Sequence, residues 1–449
     1  MKADLTTKYD MLVPRYTSYP TAPHFNDDVT ADVYGRWLCE LDPKTALSLY
    51  FHIPFCDEMC WFCGCYTKIV KRYEPVSEYL NTLLKEIDLV ADRLPGRFSA
   101  HHLHWGGGSP TMLTGPDWMR IMDKLRARFD FAQNAEIAVE MDPRTATLDY
   151  VRAVASAGVN RASIGVQDFD PKVQEAINRI QPFEMTRQVV DWLRDNAIDG
   201  INMDLMYGLP HQSVDGVIDM IDKTVEIRPN RIALFGYAHV PWMKSHQKLI
   251  KEEDLPDNRQ RWVQFSRASD RLEERGYVKI GLDHFALPDD ALAIALKNHT
   301  VHRNFQGYTV DDSPAMLPFG ASAIGALPQG YVQNVLPLRD YTRAIDAGEF
   351  PVQRGRALTA RDKLEADAIM RIMCDLECDL DQVCAAHDMT PDALDAGLEK
   401  LAPMAADGIV VIDGRHIRLT AQGRPFVRLV ASAFDAYLGS GQGRHSKAV

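Results

Sequence analysis

From about residue 46 the hydrophobic pattern alternates between two textures. Short β-rich runs occur at 46–55 (ALSLYFHIPF), 100–108, 135–143, 161–169, 201–210 and 231–240. Longer stretches of helical period lie between them. In VSEYLNTLLKEIDLVADRL (76–94) the apolar positions are Leu80, Leu83, Leu84, Ile87, Val90 and Leu94. DWMRIMDKLRARF and TLDYVRAVASAGV repeat that spacing. Six strand–helix units in succession predict a parallel sheet with right-handed crossovers, closed into a barrel or partial barrel. Each strand run ends in residues poor for a core but good for a site: His52, Gly106 to Gly108, Glu140, Gln167, Asp204 and His239. In (β/α) barrels the C-terminal strand ends carry the active site.

Beyond residue 240 the pattern is harder to read. LPDNRQRWVQFSRASDRLEERGY (255–277) predicts a helix, while GLDHFALPDDAL and HRNFQGYT read as irregular loops. From about 358 packed helices are predicted, then a β-hairpin over 408–420 turning at Asp413-Gly414. Helices followed by a hairpin suggest a small winged-helix-like domain. Residues 359–400 hold eleven acidic against four basic side chains, which makes DNA a poor partner for it. Cys374, Cys378 and Cys384 in this region read as buried small hydrophobes. The expected division is a leader (1–45) folding over the active site, a barrel with its extension (46–354) and the C-terminal domain (355–449).

A length of 449 residues exceeds one compact core, and a net charge of −12 argues against a broad nucleic-acid surface. The N-terminal residues show no apolar run of the kind a signal peptide needs, and no segment approaches the roughly 18 apolar residues of a membrane helix. A cytoplasmic protein is expected. No assembly segment is visible, so a monomer is the default. In a reducing compartment thiols stay free, so a cysteine cluster reads as a metal site rather than a disulfide frame.

That cluster is FCDEMCWFCGC (55–65), holding four of the eight cysteines: Cys56, Cys60, Cys63 and Cys65. Structural zinc commonly uses two separated Cys-x-x-Cys knuckles, and no second knuckle exists here. The spacing Cys-x-x-x-Cys-x-x-Cys lets three sulfurs wrap three corners of a cubane [4Fe-4S] cluster, leaving the fourth iron open to a substrate or cofactor. The open cluster ranks first and zinc second.

Cys56-x-x-x-Cys60-x-Phe62-Cys63 after a strand resembles the cluster loop of radical S-adenosylmethionine (SAM) enzymes. GGGSP (106–110), at the end of the second strand, is similar to their glycine motif, which receives the methionine amino group. PRYTSYPTAPHF (14–25), YFHIPFC, HLHWGGGSPT, VEMDPR, GVQDF, NRIQ, DLMYGLP, YAHVP, DHFALPDDAL and HRNFQGYT together resemble the oxygen-independent coproporphyrinogen III oxidase family over nearly the whole chain. Cys65 and the PRYTSYPT leader match the oxidases rather than the related haem chaperones. Ser109 stands where threonine is frequent, and Val13 where glycine often precedes the leader.

The resemblance implies a partial (β/α)6 TIM-like barrel, one [4Fe-4S] cluster on Cys56, Cys60 and Cys63, and two SAM molecules. It implies that Tyr50, Gly107, Glu140 and Ile324 contact the first SAM, and Phe62, Gly108, Ser109, Gln167, Arg179, Asp204 and Ala238 the second. The implied reaction is radical-driven oxidative decarboxylation of two propionates of coproporphyrinogen III to vinyl groups, fed by a low-potential donor such as a flavodoxin or ferredoxin. A tetrapyrrole with four carboxylates calls for aromatics and basic groups, for which Arg15, Tyr16, Tyr19 and residues 304–309 are candidates. Arg179 suits a cofactor carboxylate. His52, four residues before Cys56, reads as a proton-handling group or as barrel filling; Cys65 reads as a proton-transfer group or as inert packing. With Tyr50 and Glu140 these form the candidate catalytic set. The rivals are a haem chaperone or haem-modifying enzyme on the same scaffold and, more remotely, a zinc-stabilised binding module.

Overall fold

The computed structural model describes Leu5, Lys8, Tyr9 and residues 11–439. The chain forms two compact units, both discontinuous: Asn26–Arg275 with Asp311–Gly355, and Met1–Phe25 with Gly276–Val310 and Arg356–Val449. The linear division expected above meets this arrangement only in part. Its last boundary falls beside the cut at 355/356, but the leader is shared between the units and residues 276–310 group with the C-terminal segment. Hydrophobic period marks where elements lie, not which core they join.

The larger unit is built on six parallel strands: β1 (Leu47–Ile53), β2 (Ser99–Gly107), β3 (Asp130–Met141), β4 (Arg161–Gln167), β5 (Gly200–Tyr207) and β6 (Arg231–Gly236). They pair in chain order, as the sequence pattern predicts. Three further strands were not legible: β7 (Ala315–Phe319), β8 (Ile324–Leu327) and β9 (Gly330–Asn334). β7 runs parallel to β1 on its free side, with Tyr50 opposite Pro318, and β8 and β9 continue antiparallel. Crossover helices α1 (Glu74–Arg93), α2 (Gly115–Arg128), α3 (Leu148–Ser156), α4 (Phe183–Asp195) and α5 (Val214–Ile227) cover the outside. Thr114, Thr147 and Ser213 cap α2, α3 and α5 by accepting a backbone N–H, each cap stabilising by about 1 kcal/mol.

Burial alternates along β4 and, up to Met206, along β5. Ala162, Ile164, Val166, Ile201, Met203 and Leu205 are buried. The intervening positions are only half-buried and include the polar Ser163, Gln167, Asn202 and Asp204. Polar side chains on the inner face set it apart from an apolar packed core. At β1 the outer face is a stack instead. Phe51 lies 4.2 Å from Trp105 and 4.6 Å from Phe319, and Trp105 meets Trp118 of α2 edge-on at 4.8 Å.

A buried carboxylate ties α1 to the β7–β9 extension. Glu86 accepts hydrogen bonds from the Gly320 amide (2.6 Å), Asn334 Nδ2 (2.8 Å) and the Tyr341 hydroxyl (2.6 Å). Tyr79 OH donates to the carbonyl of His52 (2.7 Å), joining this network to the end of β1.

In the smaller unit, helix Ala360–Asp375 packs with the hairpin Val410–Asp413/His416–Leu419, to which Glu377–Asp379 adds a third strand. This is the expected helix-plus-hairpin arrangement, with Gly414 in the left-handed region at the turn. HRNFQGYT forms a short hairpin, His302–Asn304 with Gly307–Thr309, rather than an irregular loop. The leader tyrosines, expected to be available to substrate, are buried here with partners of their own. Tyr16 OH donates to Asp435 (2.9 Å) and Tyr19 OH to Glu365 (2.5 Å). Arg428 donates to the carbonyls of Val13 and Pro14. Cys374, Cys378 and Cys384 are buried, as expected of small hydrophobes.

Burial pushes the Glu86 carboxyl up to about 7, against the three hydrogen bonds that favour its charged form. A folded-state value above the ordinary one gives stabilisation that is complete below about pH 4.5 and lost as pH climbs through 7. Denaturant titrations from pH 5 to 8 should show wild type losing up to about 3 kcal/mol relative to Glu86→Gln, whose stability should stay flat across that range apart from the other titrating groups.

Candidate active site

The thiol loop leaves the C-terminal end of β1. Its base is closed by a two-residue parallel pairing, Phe55–Cys56 with Lys68–Ile69. The amides of Lys68 and Val70 donate to the carbonyls of Pro54 and Cys56 (2.7 and 2.9 Å). The glycine turn at the end of β2 is bonded to the same segment: Gly108 N–H donates to Ile53 O and Ser109 N–H to Phe55 O, both at 2.8 Å. This closeness explains the glycines. A Cβ at Gly108 would lie 2.6 Å from the Phe55 carbonyl, and one at Gly107, whose φ is +119°, would lie 2.9 Å from the His52 ring.

The outer side of the loop is held by residues that the sequence reading did not single out. Gln247 Nε2 donates to Phe62 O (2.9 Å), His246 Nε2 to Cys63 O (2.7 Å) and Lys244 Nζ to Cys65 O (3.1 Å). Asn178 Nδ2 donates to Met59 O (2.8 Å). Trp61 and Phe62 pack on a small buried cluster of Val173, Ile177, Leu209, Tyr237 and Ile250. Polar residues in WMKSHQK (242–248) gave the only sequence signal.

Each ligand-candidate sulfur has a different donor. Thr67 Oγ1 donates to Cys56 Sγ (3.3 Å), and the Cys65 amide to Cys63 Sγ (3.4 Å). Cys60 Sγ faces two guanidinium groups, Arg144 Nη2 at 3.3 Å and Arg179 Nη1 at 3.5 Å. Burial pushes the Cys56 thiol up to about 12. The hydrogen bond from the Cys65 side chain holds Cys63 below the usual thiol range and pushes Cys65 well above it.

Arg144 and Arg179 converge on Asp142, just beyond β3. Arg144 grips it through Nε (3.0 Å) and Nη2 (2.7 Å), and Arg179 Nη1 lies 3.1 Å away. Burial opposes ionisation of Asp142, but the two cations prevail and hold it at about 2. Arg179, expected to face a cofactor carboxylate, is buried and donates to Asp142, Cys60 and the Gly165 carbonyl.

The other sequence-derived residues fall at one end of the barrel. Register places His52 opposite Gly106, Glu140 opposite Ser163 and Gly165 opposite Asp204. Glu140 accepts from the Gly107 amide (3.1 Å) and from His104 Nε2 (3.2 Å). Asp204 accepts from Asn202 Nδ2 (2.9 Å) and Ser163 Oγ (3.0 Å). Gln167 sits at φ +68°, a left-handed backbone at the very end of β4. The Ser109 hydroxyl is buried and shared with Thr111. His52 is buried with both nitrogens engaged: Nε2 donates to Tyr66 O (3.0 Å), so Nδ1 accepts from Tyr50 OH (3.1 Å) when the ring is neutral. Burial lowers its pKa and favours that neutral form. Cys65 is an exposed residue whose thiol hydrogen-bonds to that of Cys63. Ala238 lies past β6, and Ile324 opens β8, where it pairs with Gln333.

Three free thiols with N–H and O–H donors on their sulfurs form an all-thiolate donor set, which suits an iron–sulfur cluster. Among the described residues no three His, Cys, Asp or Glu side chains gather tightly enough to hold a single metal ion.

Residues 50–224 match the model of the radical SAM superfamily, and residues 358–426 that of the HemN C-terminal domain. This superfamily's domain implies a [4Fe-4S] cluster and SAM. An oxygen-independent coproporphyrinogen III oxidase of Bradyrhizobium diazoefficiens is 49% identical over the full length of both chains. The enzyme so named from Escherichia coli is 38% identical, over 97% of this chain and 95% of its own. The solved structure of coproporphyrinogen III oxidase (HemN) from Escherichia coli, described as a radical SAM enzyme, superposes with a TM-score of 0.91 at 37% identity. It covers 94% of this chain and 98% of its own. A parallel barrel bearing three thiols at its mouth thus defines a radical SAM protein. The chain belongs to the oxygen-independent coproporphyrinogen III oxidase family.

The tight fit of the glycine turn can be tested directly. Gly108→Ala should displace the loop and lower the iron bound per chain after anaerobic reconstitution. Gly64→Ala, where an added Cβ meets nothing within 4 Å, should bind iron as wild type does.

Proposed function

We infer that the protein oxidatively decarboxylates two propionate side chains of coproporphyrinogen III to vinyl groups, giving protoporphyrinogen IX. The observation that carries this reading is the three-thiol loop at the mouth of the barrel in a chain aligned end to end with relatives named for that activity. When bound, the cluster and SAM supply reductive cleavage of a sulfonium and abstraction of a hydrogen atom from the propionate.

We assign the protein's part as follows. Cys56, Cys60 and Cys63 hold the cluster. Glu140 spends part of its acceptor capacity on Gly107 and His104. A carboxylate has about four acceptor sites, so it can still receive the ammonium of a first SAM, with Tyr50, Gly107 and Ile324 completing its surroundings. Phe62, Gly108, Ser109, Gln167, Arg179, Asp204 and Ala238 form the site of a second SAM, a finer reading that rests on the resemblance. Asn202 and Ser163 orient Asp204 there. His52 braces Tyr50 and the returning loop through its two nitrogens. Cys65, next to Cys63 and open to solvent, is placed to pass a proton.

The electron comes from a low-potential protein such as a flavodoxin or ferredoxin. All eight cysteines are free, in keeping with a reducing cytoplasm. Among the described residues no helix is long and apolar enough to cross a membrane. A monomer is the working state.

Anaerobic incubation with coproporphyrinogen III, SAM and a strong reductant should yield the divinyl product and methionine. Tight haem binding without turnover would overturn the reading. Cys60→Ser should abolish methionine formation while leaving the far-ultraviolet circular dichroism unchanged.

A further inference from the structure

The three cysteines differ in the charge that faces them. Cys56 and Cys63 receive neutral donors, the Thr67 hydroxyl and the Cys65 amide. Among the described residues Cys60 is the one of the three whose sulfur itself lies within hydrogen-bond reach of cationic side chains, Arg144 and Arg179; Lys244 and His246 bear on Cys63 from the neighbouring carbonyls they grip. Those two arginines are not equivalent. Arg179 spreads its donors over Cys60, Asp142 and the Gly165 carbonyl. Arg144 is locked: Nε lies 3.0 and 3.2 Å from the two Asp142 oxygens and Nη2 2.7 Å from Oδ2, while the same Nη2 reaches Cys60 Sγ at 3.3 Å. Nη1 lies 3.4 Å from Glu58 Oε2.

The lock is built locally. Asp142-Pro143-Arg144 follows β3, and Asp142 Oδ1 also accepts the Arg144 backbone N–H at 3.0 Å. A planar guanidinium gripped side-on by a carboxylate loses little freedom in making its remaining bond.

We propose that Arg144 is a positioning residue of the metal centre. It directs one cationic N–H at the Cys60 sulfur, sets the reduction potential of the cluster and makes its three protein-bound corners electronically unequal. A charged donor draws density from a thiolate, and hydrogen bonds to sulfur are among the features that set cluster potentials. The added electron of the reduced cluster is stabilised by a nearby positive charge, so Arg144 raises the potential. This inference rests on the reading that Cys56, Cys60 and Cys63 hold a [4Fe-4S] cluster.

The test uses full-length protein reconstituted anaerobically with iron and sulfide. Iron content and an EPR-monitored redox titration are compared for wild type, Arg144→Gln and Arg144→Lys. Arg152→Gln, on an exposed helix position paired with Asp149, is the control. Roughly four irons per chain are expected throughout. The midpoint potential should fall in Arg144→Gln, fall less in Arg144→Lys, which keeps the charge but not the fork, and stay put in Arg152→Gln. An Arg144→Gln variant with full iron and an unchanged midpoint overturns the inference. So does loss of the cluster from both Arg144 variants, which would make Arg144 a support of the loop's fold alone. Failure of wild type to acquire a four-iron cluster would instead sink the reading of the site itself.

Discussion

The span from Cys56 to Cys65 includes an exposed glycine and carries acidic residues between its thiols, and its apolar anchorage is Trp61 and Phe62 on one small cluster, so burial of apolar surface alone does not set its shape. Its conformation is imposed by backbone hydrogen bonds, two to the glycine turn of β2 and two closing its own base, and by side chains that seize its carbonyls from outside. Because a buried or half-buried peptide group must find a partner, these bonds determine where each sulfur points. The glycines at 107 and 108 are the condition for that arrangement, since a side chain at either would push β2 away from the segment it orients.

The barrel provides the surroundings of this loop by a division of labour along each strand. Outward positions of β4 and β5 are apolar and buried, whereas inward positions are half-buried and include Ser163, Gln167, Asn202 and Asp204. The side chains nearest the mouth restrain one another: Ser163 and Asn202 hold Asp204, His104 and Gly107 hold Glu140, and Tyr50 and Tyr66 hold His52. A ligand arriving there meets groups already oriented, so little ordering remains to be done on binding.

The six strands were legible because each joins a β-branched or aromatic run to a polar end, and the intervening helices keep a clear period. The cluster thiols were legible because their spacing is short and local. Strands β7 to β9 were not, since Pro318, Gly320 and Gly325 interrupt the expected run and their pairing is non-local. Asp142 and Arg144 lay in a quoted motif, yet nothing in the spacing shows that two arginines thirty-odd positions apart meet on one carboxylate and one sulfur. The loop clamps Lys244, His246 and Gln247 come from a segment without period, and hydrogen bonding from such segments leaves no trace in a hydrophobic pattern. Tyr16 and Tyr19 looked available because they sit in a leader; their hydroxyl partners lie more than three hundred residues downstream.

That last separation bears on how the polypeptide is made. Tyr16 pairs with Asp435, 419 positions later. At about 5 to 20 residues per second, the leader precedes its partner by roughly 20 to 80 seconds of synthesis. The barrel strands are complete long before that, so the larger unit can fold while the smaller one still lacks half its interior. Meanwhile the leader's tyrosines stand exposed on the nascent chain, a natural handle for chaperones.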